Sequence, residues 1–216
     1  MESLYCRLRE FIPEHAFYPA INKRKNGQPC VTLYEKSNPK SSLTLKDVPE
    51  NIIIIKADSF FPLLLERTEP DGRHYSGSSF FIEGSGAAKR ADFIILDEAA
   101  CVAIFLELKG STESEVYIRE QLIGAHAVFD YIKRVISCPP CQSPEPFFND
   151  RLTLRFACVC NKCPSMSKRP TSSAPVSCAK KHKPRYNKFG RGDSISNILR
   201  INATTEVYYR QLKNKI

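Results

Sequence analysis

Short apolar runs bounded by turn residues recur along this chain, and their spacing predicts β-strands. The clearest strands are predicted at 30–35, 51–58, 79–83, 93–96, 101–106 and 152–160. The runs 93–96 and 101–106 flank a short polar turn at 97–100, which predicts a β-hairpin. Other stretches predict less regular structure: a strand or helix at 60–67, turn-rich loops at 69–78 and 164–193, and a final hairpin or strand–helix pair over 195–212.

Helical spacing is confined to two segments. Apolar residues from Ile118 to Ile136 recur at intervals of three and four, which predicts a helix over about 113–136. A shorter amphipathic helix is predicted for 3–12, ending before Pro13. A helix between two strands makes those strands parallel, whereas a hairpin makes its strands antiparallel. The sequence therefore predicts an α/β fold with a central mixed β-sheet flanked by helices.

Charged residues stand at the ends of the hairpin strands, where burial is costly without a partner. Pairing of Leu96 with Cys101 places Asp92 diagonally from Glu107, with backbones about 7–8 Å apart. Because side chains alternate between faces, Lys109 shares the face of Glu107. The pattern predicts two carboxylates and an amine in one pocket.

These residue types suit phosphodiester hydrolysis with a divalent metal. Mg²⁺ prefers hard oxygen ligands. The carboxylates of Asp92 and Glu107 would supply two of them, and the Leu108 carbonyl could supply a third. A metal lowers the pKa of a bound water, and Lys109 would orient that water or hold the phosphate. The expected cofactor is Mg²⁺ or Mn²⁺.

The spacing of Asp92, fourteen residues, then Glu107-x-Lys109 resembles the PD-(D/E)XK nuclease superfamily, over about residues 50–160. The resemblance implies the restriction-endonuclease-like core, αβββαβ, and metal-dependent cleavage of nucleic acid. It extends into the following helix, where Thr112-x-x-Glu115 has the pattern of a capping box. Gln121 stands where some branches of the family carry a glutamine close to the active site.

Two positions depart from the family pattern. Ala91 occupies the place of the proline that names the motif. The acidic residue that many members carry on an earlier element has three candidates, which are Asp58, Glu66 and Glu83.

Net charge is +9 and lies in the last third of the chain. Residues 1–150 hold 17 Lys and Arg against 21 Asp and Glu, whereas residues 151–216 hold 15 against 2. A basic segment beside an acidic metal site favours a nucleic-acid partner, DNA by family habit. The candidate phosphate contacts are Lys180, Lys181, Lys183, Arg185, Lys188 and Arg191.

The cysteine spacing suggests zinc, but the predicted topology argues against it. Cys138, Cys141, Cys160 and Cys163 have the spacing of a four-cysteine Zn²⁺ site. In a strand–helix–strand unit, however, the two pairs would lie at opposite ends of the sheet, about 25 Å apart. We therefore expect reduced thiols, with Cys101 and Cys158 as small core residues.

We expect an N-terminal helix and extended segment at 1–50, a nuclease core at 51–163 and a basic C-terminal part at 164–216, in a cytoplasmic protein without membrane segments. It could be an endonuclease or exonuclease, and a homodimer or a subunit of a larger complex. Two alternatives stay open: a catalytically inactive nucleic-acid-binding subunit, and a protein-interaction module that uses the basic segment.

Overall fold

The structure is a computed structural model. It describes residues 3–18, 22–23, 27–34, 42–57, 64–68, 74–78, 90–110, 114–137, 146–148, 151–160, 185–188, 197–202 and 206–214. The predicted strand at 79–83 lies outside these ranges.

The strands of the described residues form three sheets. In chain order they are β1 (Asn22–Lys23), β2 (Pro29–Tyr34), β3 (Ser42–Lys46), β4 (Ile52–Lys56), β5 (Leu64–Thr68), β6 (His74–Ser78), β7 (Phe93–Asp97), β8 (Val102–Lys109), β9 (Thr153–Cys160), β10 (Arg185–Lys188), β11 (Asn197–Asn202) and β12 (Glu206–Tyr208). The main sheet has the order β10-β11-β9-β8-β7-β4, and a second sheet has the order β1-β2-β3-β12. The strands β5 and β6 form a separate antiparallel pair.

Both larger sheets are mixed, which confirms the predicted α/β class. In the main sheet, β7 is antiparallel to both of its neighbours, β4 and β8, while β8, β9 and β11 run parallel. In the second sheet, β12 joins β3 in parallel, so that a C-terminal strand completes a sheet of N-terminal strands. The predicted domain boundaries stay predictions.

Two of the three described helices cover one face of the main sheet. The described helices are α1 (Leu4–Arg9), α2 (Glu115–Ile136) and α3 (Tyr209–Lys213), with short 3-10 turns at Glu14–Ala16 and Pro146–Phe148. The apolar sides of α1 and α2 pack in one core with alternate residues of β4, β7, β8 and β9. The Arg7 guanidinium donates a hydrogen bond to the Ile136 carbonyl, so the two helices also contact each other.

The other face of the main sheet is covered differently from the prediction. The second sheet and α3 pack there, in a separate core that contains the opposite residues of β7 and β8. A strand at the position of β2 was predicted, but neither β3 nor its pairing with β12 was. Central strands buried on both faces are continuous apolar runs, and β7 and β8 are buried along their whole lengths.

The hairpin register differs from the prediction by two residues. The turn occupies 98–101 rather than 97–100, because Asp97 stays on the strand and its carboxylate accepts the Ala100 N–H at 2.9 Å. Cys101 closes the turn with a φ of 50°, and Asp97 pairs with Val102. A shift of two residues preserves the face of each side chain, whereas a shift of one would reverse it.

The predicted helix over 113–136 is confirmed with a different cap. Ser114 is the N-cap, and its hydroxyl accepts the N–H of Tyr117 at 3.3 Å. The predicted cap, Thr112, lies outside the described residues. Lys133 and Arg134 in the last turn complement the helix dipole.

Other predictions had mixed outcomes. The strands expected at 30–35, 51–58 and 152–160 and the N-terminal helix are confirmed as β2, β4, β9 and α1. The loops expected at 69–78 and 164–193 instead contain β6 and β10, because pairing with β5 and β11 compensates for weak local strand propensity. Of the two arrangements expected over 195–212, the hairpin is wrong, since β11 and β12 belong to different sheets. The strand–helix alternative is confirmed, since β11 is followed by a short strand, β12, and the helix α3.

Candidate active site

The site lies where β7 begins and β8 ends, on the face of the main sheet that carries α2. Phe93 pairs with Leu106, so the register places Asp92 directly opposite Glu107. The sequence had predicted a diagonal arrangement. The Cβ atoms of directly opposite residues lie about 4.5–5.5 Å apart. Asp92 and Glu107 are therefore closer together than the diagonal arrangement predicted.

Three short contacts tie these residues together. The Asp92 carboxylate accepts the Leu108 N–H at 2.7 Å through Oδ2, and the Asp92 N–H donates to Glu107 Oε2 at 3.2 Å. Lys109 Nζ lies 2.6 Å from Glu107 Oε1. The predicted set of Asp92, Glu107 and Lys109 is therefore gathered in one place.

Burial makes this ion pair unusual. Glu107 is 1% exposed and Lys109 is 7% exposed. Burial, reinforced by the neighbouring Asp92 carboxylate, raises the pKa of Glu107 to about 8, although Lys109 acts in the opposite direction. A buried acid beside a second acid favours either a proton or an added cation.

Helix α2 covers the lysine. The aromatic ring of Tyr117, in the first turn of α2, lies with its centroid 5.0 Å from Lys109 Nζ. Such a cation–π contact stabilises an ammonium group. Tyr117 is 38% exposed, so the ring lies at the protein surface beside the ion pair.

Gln121 lies at the edge of the site. Its Nε2 donates to the Arg90 carbonyl at 3.4 Å, two residues before Asp92. Its Oε1 is buried and has no hydrogen-bond partner among the described residues. An unsatisfied buried acceptor is costly, so this oxygen is suited to a donor such as water.

The donor set fits a hard divalent cation. Asp92 and Glu107 provide carboxylate oxygens, the ligands that Mg²⁺ and Mn²⁺ prefer. Within the part of the chain that the structure describes, no group of three or more His, Cys, Asp or Glu residues is placed to hold a metal. A cation here would thus rely on two carboxylates and water. The Leu108 carbonyl as a ligand stays a prediction.

The other metal candidates are not gathered here. Asp58 and Glu83 lie outside the described residues, and Glu66 belongs to β5 in the separate pair of strands. Of the four cysteines with the spacing of a zinc site, which was not favoured, Cys138, Cys141 and Cys163 lie outside the described residues. Cys160 ends β9 and is buried.

The predicted basic contacts are only partly described. Lys180, Lys181, Lys183 and Arg191 lie outside the described residues. Arg185 and Lys188 are the first and last residues of β10, at one edge of the main sheet. Their role in binding stays a prediction.

A pair of thiols beside the acids was not predicted as part of the site. Cys158 pairs with Glu107 and Cys160 pairs with Lys109, and the two sulfur atoms are 3.8 Å apart. Strand parity together with a parallel register could have indicated this. Cys158 is a buried core residue as expected, whereas Cys101 is half-buried in the hairpin turn.

Comparison with known proteins adds no family assignment. No protein-family model, curated protein or solved structure matches this chain. The described helices include none with the length and apolar character needed to cross a membrane.

Proposed function

We propose that this protein is a metal-dependent nuclease that hydrolyses phosphodiester bonds of nucleic acid, DNA rather than RNA. The observation that carries the proposal is the meeting of Asp92, Glu107 and Lys109 at the end of one hairpin. A buried acid and a buried amine beside a second, half-buried acid are costly as a purely structural feature, because the buried groups lose their hydration. Perturbed acids in such clusters are typical of functional sites.

The topology supports the restriction-endonuclease-like assignment. Along α1, β4, β7, β8, α2 and β9 the elements follow the order helix, three strands, helix, strand, with the four strands adjacent in that order. This is the αβββαβ order that the resemblance implies. Asp92 directly precedes the second of these strands, and Glu107 lies on the third.

The chain's own groups would divide the work as follows. Asp92 and Glu107 would hold Mg²⁺ or Mn²⁺, which would neutralise their charges. The metal would also lower the pKa of a bound water, so that the resulting hydroxide could attack phosphorus. Lys109 would release Glu107 to the metal and then orient the attacking water or the charged phosphate. Gln121 Oε1 would accept a hydrogen bond from that water, which helps to fix its direction.

A cleavage assay tests this proposal. Labelled single- and double-stranded DNA and RNA are incubated with the protein in Mg²⁺, Mn²⁺ or EDTA. We expect cleavage of DNA with either metal and none in EDTA. Glu107→Gln should lower kcat/KM by about a thousandfold, which corresponds to the loss of several kcal/mol of metal-dependent stabilisation.

Glu98→Gln is the matched control, because Glu98 lies in the turn at the other end of the same hairpin and is exposed. It should cleave like the wild type. Cleavage that survives Glu107→Gln would show that the site is elsewhere. Binding of DNA without cleavage under any condition would favour the inactive binding subunit instead.

A further inference from the structure

One row of residues crosses four strands of the main sheet at the level of the acids. Asp92 lies opposite Glu107, Glu107 pairs with Cys158, and Cys158 pairs with Arg200 on β11. Neighbouring strands are about 4.8 Å apart, so the Arg200 backbone lies about 10 Å from that of Glu107. Alternate residues of the same strands share the core under α2, so this row faces that side.

The Arg200 side chain is directed toward the next row of the sheet. Its guanidinium is close enough to the Cys160 thiol to lower the pKa of that thiol, and Cys160 pairs with Lys109. Arg200 is half-buried rather than enclosed. The guanidinium therefore lies on the side of the pocket where Lys109 also lies, in a residue that is partly open to solvent.

Two basic side chains act on the Cys160 thiol. A hydrogen bond with Cys158 and the positive charges of Arg200 and Lys109 together lower the pKa of Cys160 to about 6, although burial acts against it. The charges of Arg200 and Lys109 thus reach this end of the pocket, where an incoming anion would meet them.

We propose that Arg200 binds a backbone phosphate of the nucleic-acid strand held at Asp92, Glu107 and Lys109. This inference rests on the proposed function, since it names a substrate contact of the same site. Guanidinium groups bind phosphate through two parallel hydrogen bonds, a geometry that lysine cannot reproduce. Arg200 lies outside the basic stretch that the sequence analysis selected, and Arg185 of β10 is its neighbour in the register.

Binding measurements in Ca²⁺, chosen to limit turnover, test the contact with a labelled DNA duplex and with a single strand. Arg200→Met should raise Kd about tenfold and lower the slope of log Kobs against log salt by about 1, since one phosphate contact is lost. Arg200→Lys should keep the wild-type slope but bind more weakly. In Mg²⁺, we expect KM to change more than kcat.

Arg210→Met is the matched control. Arg210 is an exposed arginine of the same basic third of the chain, but it belongs to α3 on the other face of the main sheet. The Arg210→Met substitution removes the same charge as Arg200→Met, so a general charge effect would appear equally in both variants. We expect its Kd to stay within twofold of the wild type.

The outcomes separate this inference from the proposed function. If the wild type cleaves but Arg200→Met binds like Arg210→Met, the Arg200 contact is wrong and the nuclease proposal stands. If the wild type binds without cleaving, the nuclease proposal fails and the salt slope still decides the Arg200 contact. A wild type that neither binds nor cleaves overturns both. If Arg200→Met does not fold, an unchanged Kd for Arg200→Lys overturns the contact.

Discussion

Asp97 and Glu107 are buried carboxylates at opposite ends of the same hairpin, and they differ in how their charges are compensated. Both side chains are almost fully buried, at 2% and 1% exposed. Asp97 accepts the Ala100 N–H at 2.9 Å and the Tyr209 hydroxyl at 2.8 Å, and Lys213 Nζ lies 3.8 Å away.

Glu107 has a different environment. It has Lys109 and one backbone N–H as partners, and the second acid, Asp92, lies directly opposite. The donors around Asp97 hold the turn and α3 in place, and burial together with the Asp97 hydrogen bond raises the pKa of Tyr209. Burial alone therefore does not distinguish the two carboxylates, whereas the second acid directly opposite Glu107 does.

The largest expected effect concerns stability at the Asp97 end. Asp97→Ala leaves the Ala100 N–H and the Tyr209 hydroxyl buried without an acceptor, which should lower the free energy of unfolding by about 2–4 kcal/mol. Tyr209→Phe removes only one of these contacts and should cost less. Denaturant unfolding measures both changes.

Activity of the folded Asp97→Ala protein sharpens the comparison. The pair Asp97–Val102 lies five residues, about 17 Å, from Glu107 along β8, so cleavage per folded molecule should stay within threefold of the wild type. A loss of cleavage as large as that of Glu107→Gln would contradict the division into a structural and a functional acid.

A smaller effect is expected in the pH dependence of stability. The pKa of Glu107 in the folded protein is about 8, above that of an unfolded glutamic acid at about 4.3. The unfolded state therefore loses this proton first, and the stabilisation present below the unfolded pKa is lost as pH rises through the folded pKa. Asp92, Lys109 and Cys158 face the carboxyl group. Asp92 raises the pKa of Glu107 and Lys109 lowers it.

Glu107→Gln isolates this effect. Measured in EDTA, the free energy of unfolding of the wild type minus that of Glu107→Gln should decline by about 1–3 kcal/mol between pH 5 and pH 8.5. Glu98→Gln should run parallel to the wild type over the same range. A constant difference for Glu107→Gln would mean that Glu107 is ionised in the folded protein at neutral pH.

The smallest effect is expected at Gln121. Gln121→Leu removes both the hydrogen bond to Arg90 and the buried amide oxygen, and it should lower kcat about three- to thirtyfold with KM nearly unchanged. Ile123→Gln, at an exposed position of the same helix, should leave kcat as it is. An unchanged kcat for Gln121→Leu would limit this residue to packing.

The hairpin shows which features of the site the local sequence could predict. The alternation of side chains along the strands predicted that Asp92, Glu107 and Lys109 share one face. That prediction is correct although the predicted register was wrong by two residues, because side chains alternate with a period of two. The spacing of the apolar residues from Ile118 to Ile136 predicted α2, since the apolar face of a helix depends only on the residues of that helix. The register itself depended on how Asp97 closes the turn, which sequence periodicity does not reveal.

Contacts between distant segments were decided only in the tertiary structure. The chain's own pattern determined an α/β protein whose hairpin carries two acids and a lysine on one face. It did not determine that β12 completes a sheet begun at β2, that Tyr209 reaches Asp97, or that Arg200 and Cys158 extend the row of Glu107. These pairings join residues that are remote along the chain, and their energies depend on burial and on partner groups that no local pattern contains.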